Sequence, residues 1–373
     1  MVIPMTKRNE NRSLPADSSA SGPGNSPVAT GVSRRTLLRQ LGVIGAGAAF
    51  FSSPALAGVA RPASGLGRGW IDVHHHMFPP FYMALRRKVP DVVEMPSWSP
   101  AKSLASMDEN GVAMAMLSLA VTGVTFEPGE AGRKLARTSN DYGAKLVSQH
   151  PDRFGLLAAL PLPDVQGSLA ELEYACDKLH TNGIALLTSY GGKYQGDPSF
   201  TPVYEELNRR KAIVHVHPTV PLCCTDTLPN VPVSRLEFFF DTARAVYNLL
   251  LNGVYVRYPD IRFIFAHGGG ATPSMAHRMA YYFPQKLLPT CAPHGVLYEL
   301  RRQYYDTAGA SNPTSLAGST SLLPISQILF GTDFPFVPTR WTVDNLDLSS
   351  LSAADLEAIE WGNSVRLFDL HKA

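Results

Sequence analysis

One alternation, repeated eight times, constrains this chain more than any other feature of its sequence. From residue 70 onward, short apolar runs occur at 70–74, 112–119, 154–160, 183–187, 212–217, 261–266, 303–305 and 326–330. Nearly all are separated by stretches with helical spacing of apolar residues, at 101–110, 129–150, 165–180, 200–210, 233–252, 272–283, 311–322 and 353–368. Continuous apolar strands alternating with helices predict a parallel sheet covered by helices. Eight such units over about 300 residues predict an α/β fold of the closed (β/α)8 TIM-barrel type rather than an open doubly wound sheet. No glycine fingerprint for a dinucleotide follows the first run, which weighs against the open sheet. Residues 70–373 read as one barrel, without an internal repeat or a second domain.

The stretch before the barrel is of another kind. Residues 1–30 are rich in Ser, Pro, Gly and Asn and have no hydrophobic period, so they read as unstructured. Ser33-Arg34-Arg35-Thr36-Leu37-Leu38-Arg39 follows, then the apolar LGVIGAGAAFF and the small-residue pattern Ala55-Leu56-Ala57. A basic segment, a modest apolar region and an A-x-A end make an export signal, and the paired arginines resemble the twin-arginine type. The run is short and weakly hydrophobic for a membrane span. Residues 1–57 are therefore expected to be a leader and cleaved signal, 58–69 a linker, and the mature protein periplasmic or secreted, with no membrane anchor.

This division changes the charge. Of the 33 Lys/Arg and 31 Asp/Glu in the chain, six and two lie in residues 1–57, leaving 27 basic against 29 acidic residues. No basic stripe remains to suggest nucleic acid. The four cysteines, Cys176, Cys223, Cys224 and Cys291, are too few and too scattered for a disulfide framework or a zinc knuckle.

Chemistry collects at the ends of the predicted strands, the face on which barrel enzymes build their sites. The first strand ends in His74-His75-His76, in which His74 and His76 share a face and His75 points toward the surrounding helices. The fifth reads Ile213-Val214-His215-Val216-His217-Pro218; His217, at the tip, is the better ligand candidate. His215 lies a layer deeper, as a hydrogen-bonded core histidine or as support for the site. The sixth ends in His267-Gly268-Gly269-Gly270, glycines that permit close approach of substrate or metal to the backbone. The eighth runs into Gly331-Thr332-Asp333-Phe334-Pro335, where a buried carboxylate needs a partner such as a cation. Three histidines and an aspartate form a zinc-type ligand set that also admits manganese.

The ordered set HxH, HP, HGGG and GTDFP resembles the amidohydrolase superfamily. Within it, the match is to the branch of aminocarboxymuconate semialdehyde decarboxylase and the aromatic-acid decarboxylases. The resemblance runs from Trp70 to the closing segment Trp361-Gly362-Asn363-Ser364-Val365-Arg366-Leu367-Phe368. It implies one divalent metal held by His74, His76, His217 and Asp333, with His267 as general acid/base and Asp333 as a second catalytic group. It also implies a substrate carboxylate bound by Arg278, often across the interface of a homodimer. A further arginine of the branch has only imperfect candidates here, Arg86, Arg87 and Arg133. The expected reaction is nonoxidative decarboxylation of a hydroxylated aromatic, salicylate-like acid or a related unsaturated acid. The alternative is hydrolysis of a lactone, ester or amide by metal-bound water. The fourth strand, GIALLTSY, carries no lysine at its tip to bridge two ions, which favours a single metal. A non-catalytic metal-binding protein ranks last, because His267 and Arg278 are both present.

Overall fold

The computed structural model describes residues 69–370 apart from 90–94, 120–121, 226–227 and 229. They belong to one compact unit, Ala60–Ala373. The expected leader, signal and most of the linker lie outside the described residues.

Eight parallel strands form the barrel: β1 (Trp70–His76), β2 (Val112–Ser118), β3 (Phe154–Ala159), β4 (Gly183–Leu187), β5 (Ile213–His217), β6 (Arg262–Phe265), β7 (Tyr304–Asp306) and β8 (Ile328–Leu329). They pair in chain order. The end of β8 returns to β1 through hydrogen bonds from Val73 N–H to the Phe330 carbonyl (3.0 Å), Asp333 N–H to the His74 carbonyl (2.8 Å) and His76 N–H to the Phe334 carbonyl (2.7 Å). The result is a (β/α)8 barrel. After β4 the chain makes a small antiparallel hairpin, Ser189–Tyr190 with Lys193–Tyr194.

The helices form where the spacing predicts, with local signals at their ends. Pro100–Asn110, for example, starts after Ser99, whose side chain accepts from Lys102 N–H, and stops at Gly111 in the left-handed region (φ 74°). That glycine turns the chain directly into β2. Among the described residues, five α-helices lie outside the predicted stretches: Pro80–Arg86, Val254–Arg257, Leu288–Cys291, Val296–Arg301 and Thr339–Asp347. The last predicted helix is three pieces, Ala353–Glu357, a π turn at Ala358–Gly362 and Asn363–Phe368. Among the described residues, no helix is long and apolar enough to cross a membrane.

The pattern of β1 matters for the site. Ile71 and Val73 pack in one apolar cluster with Met116, Leu157, Ile213 and Ile264. The register of β1 against β2 then shifts between Asp72 and His75, a bulge. Past it, the even-numbered His74 and His76 take over the inner face. One inserted residue therefore switches parity, from packing residues below to histidines above.

Candidate metal and acid–base site

The bulge is stapled by a buried carboxylate. Asp72 accepts from His74 N–H (3.0 Å) and Thr332 N–H (3.0 Å) on one oxygen, and from the Thr332 hydroxyl (2.6 Å) and His75 Nδ1 (2.9 Å) on the other. His75 extends outward to Ser103 Oγ (2.9 Å) on the Pro100–Asn110 helix, and its ring stacks on Phe334. It faces away from its two neighbours, as expected.

The structure brings His74, His76, His217 and Asp333 together, with one ligand atom of each lying within 4.8 Å of all the others. His74 Nε2 is 3.1 Å from His76 Nε2, and Asp333 Oδ1 is 3.0 Å from His76 Nε2 and 3.4 Å from His74 Nε2. The far nitrogen of each ring is already engaged. His74 Nδ1 meets Asp306 Oδ2 at 2.8 Å, His76 Nδ1 meets Ser118 Oγ at 3.3 Å and His217 Nδ1 donates to the Pro218 carbonyl at 2.7 Å. His217 Nε2 is buried with no protein partner. Such an orphan on a ring whose other nitrogen donates to a carbonyl is what a metal ligand requires.

Charge leads to the same fit. Burial opposes a charged His74, but Asp306 and Asp333 overcome it and push the imidazole up to about 10. Burial takes His76 down to about 4 despite its bond to Asp333, with His74 and His215 adding to the fall. Burial, with the neighbouring histidines, also carries His217 well below its usual value. Asp333 and Asp306 are held below the usual carboxylate range: burial raises both, and the surrounding histidines outweigh it. Two carboxylates and one imidazolium leave a buried net negative charge that a cation would balance.

His267 stands beside this set, its ring 5.0 Å from that of His74 and 5.5 Å from that of His217 between centroids. Its Nδ1 meets the Ala308 carbonyl at 3.2 Å and its ring stacks on Phe239, leaving Nε2 to the site. Burial lowers its proton affinity. His267 itself adopts a left-handed φ of 57° and the three following glycines have φ of 63°, 74° and 59°. A Cβ on Gly269 would lie 2.6 Å from the Tyr305 ring, and one on Gly270 would strike the Phe239 carbonyl. The glycines thus let this turn pack against the protein's own side walls, where approach of substrate or metal was expected.

Arg278 is not brought to this cluster. It lies exposed on the helix Thr272–Tyr281, its guanidinium 4.8 Å from the Tyr282 ring centre. His215 is a hydrogen-bonded interior histidine whose Nε2 is 3.0 Å from Asp306 Oδ2. Asp306, which sequence reasoning passed over, ends β7 in complete burial and accepts four hydrogen bonds. The same cue that singled out Asp333, a carboxylate at a strand tip, would have found it. A small recess adjoins His217, walled by Leu119, Leu160, Leu187, Ala159 and Tyr190.

A family model described as amidohydrolase matches residues 71–370. The chain belongs to the amidohydrolase family. It is 34% identical over 320 residues to decarboxylase yanB of Aspergillus niger, an alignment covering 80% of this chain and 87% of that one. It is 32% identical over 281 residues to the 6-methylsalicylic acid decarboxylase of Penicillium expansum, covering 72% and 85%. A crystal structure described as an amidohydrolase II superposes with a TM-score of 0.74 at 31% identity, over 80% of this chain and 99% of that one. These relatives fall in the branch of the family that the strand-end motifs indicate.

Proposed function

We propose that this amidohydrolase is a metal-dependent, nonoxidative carboxy-lyase acting on a hydroxylated aromatic acid. The observation that carries the reading is the convergence of three imidazole Nε2 atoms and one Asp333 oxygen at the barrel mouth, beside His267. The relatives named as decarboxylases support the reaction class. A divalent ion in this ligand set, zinc by its chemistry and manganese as the alternative, would bind the substrate's carboxylate and adjacent hydroxyl and offset their charge.

The protein groups supply the rest. Asp333 Oδ1 is bonded to His74 and His76 and its carboxyl is held below the usual range, so His267 is the proton carrier. Its Nδ1–H stays on the Ala308 carbonyl, while Nε2, whose proton affinity burial lowers, takes a proton from solvent and passes it to the ring carbon as the bond to the carboxyl carbon breaks. Carbon dioxide leaves, and the electron pair of the broken bond takes the proton. The apolar walls Leu119, Leu160 and Leu187 offer a ring substituent no charged partner and so favour an alkyl group there, as in a 6-alkyl salicylate. Arg278 reaches a substrate carboxylate only from a second subunit, which places a homodimer in the proposal. Residues 1–57 serve as a twin-arginine export signal in the same reading, checked by N-terminal sequencing of protein recovered from the periplasm.

The decisive experiment is zinc- or manganese-loaded protein given a panel of hydroxybenzoates with and without alkyl groups. The expected result is carbon dioxide release, lost by about 100- to 10,000-fold in His267→Ala with metal content unchanged. Lactone or ester hydrolysis without carbon dioxide would replace this reading by the hydrolytic one.

A further inference from the structure

Asp306 spends both of its oxygens inside the barrel. Oδ1 accepts the backbone N–H of His267 at 2.9 Å and of Ala308 at 3.0 Å. Oδ2 faces His74 Nδ1 at 2.8 Å and His215 Nε2 at 3.0 Å. An ionised carboxylate only accepts, so both ring nitrogens carry the proton. A neutral His74 is thereby fixed as the Nδ1–H tautomer, and its lone pair lies on Nε2, among the other ligand atoms. In the opposite tautomer the proton would sit on Nε2 and bar it from a metal.

We propose that Asp306 is a positioning residue with two separable tasks, one for each oxygen. Oδ2 sets the tautomer that makes His74 a ligand. Oδ1 holds the left-handed turn at His267 that aims the proton carrier at the same place. The inference rests on the metal-site reading above and goes past it, because Asp306 need not touch metal or substrate.

Asp306→Asn separates the tasks. Its amide oxygen can keep the two backbone N–H groups, while its NH₂ must donate toward His74 and His215 and so reverses the tautomer of His74. Asp306→Ala removes both supports. Zinc affinity is measured by competition with a chromophoric chelator, and amide exchange by mass spectrometry on a peptide covering 265–270. The expected result is zinc binding about 10- to 100-fold weaker in both variants, with exchange at the His267 turn accelerated only in Asp306→Ala. A folded Asp306→Asn that binds zinc as tightly as the wild type overturns the proposal. Wild-type protein that binds neither zinc nor manganese overturns the metal-site reading itself, a separate result. Should neither variant fold, ring-nitrogen NMR of ¹⁵N-histidine-labelled wild-type protein with zinc decides. A protonated Nδ1 on His74 supports the proposal, and an unprotonated one overturns it.

Discussion

Strands β1 and β5 both end in a His-x-His sequence, yet they use it differently. Their outer histidines behave alike: His76 and His217 each tie Nδ1 to a neighbouring oxygen and turn Nε2 into the site. The inner pair diverges. His74 and His215 both meet Asp306 Oδ2, His74 through Nδ1 and His215 through Nε2. His74 is left with Nε2 among the candidate ligand atoms, whereas the remaining nitrogen of His215, Nδ1, is buried without a partner. Spacing chooses the face of a strand, but the ring nitrogen presented decides which histidine can ligate.

The largest expected effect tests this division directly. His217→Ala should leave protein that retains little zinc after dialysis, and turnover should fall by more than the roughly 100-fold typical of losing a supporting residue. His215→Ala should still hold one equivalent, with affinity lowered by no more than about 10- to 100-fold. Metal analysis of the two dialysed variants, read beside their carbon dioxide release, checks the pair. Equal loss of zinc from both would abolish the distinction between the strands.

A second contrast lies in how each strand reaches its histidines. β5 runs regularly against β4 and β6, while β1 carries the bulge that Asp72 staples. Asp72→Ala removes the acceptor for four buried donors, and thermal unfolding should show a loss of about 3 kcal/mol or more. His75→Phe gives up two of the surrounding hydrogen bonds but keeps the stack on Phe334, so its cost should be about 1–2 kcal/mol. If the two variants melt together, His75 rather than Asp72 holds the bulge.

These contrasts also mark how far the sequence could be read. The eight strands stand where apolar runs and intervening helical periods place them, because burial on both faces leaves a continuous signature. The helix Val296–Arg301 has six residues and Pro80–Arg86 seven, too few to display a period. The π turn at Ala358–Gly362 interrupts a pattern that reads as one helix. In the site, His74, His76, His217, His267 and Asp333 were legible because each closes an apolar run. Asp306 directly follows the expected strand 303–305 and carries the cue that marks Asp333, but that run is the shortest of the eight and its strand has only three residues. Asp72 was missed as an anchor for a different reason: its partner Thr332 is 260 residues away, and no local spacing encodes that contact.

The smallest effect belongs at the opposite end of β5, where a barrel strand serves stability rather than chemistry. The helix Thr201–Arg209 leads into that strand, and near its end Glu206 accepts from Arg209 (2.7 and 2.6 Å) and Arg210 (2.6 Å). The Arg209 bonds, with those of Arg210, lower the carboxyl from 4.5 to about 2. A carboxylate depressed in the folded state stabilises fully above its unfolded value and loses that contribution as pH falls through the folded one. Arg209 is 64% exposed, so solvent screening limits the gain to about 0.2–1 kcal/mol. Glu206→Gln should therefore melt slightly below the wild type at pH 7, with the gap constant down to about pH 5 and closing as pH falls from 4.5 toward 2. Zinc content should match the wild type throughout. A gap as wide at pH 2 as at pH 7 would assign the effect to packing of the Glu206 stem, and a change in zinc content would tie the lower end of β5 to His217 at its tip.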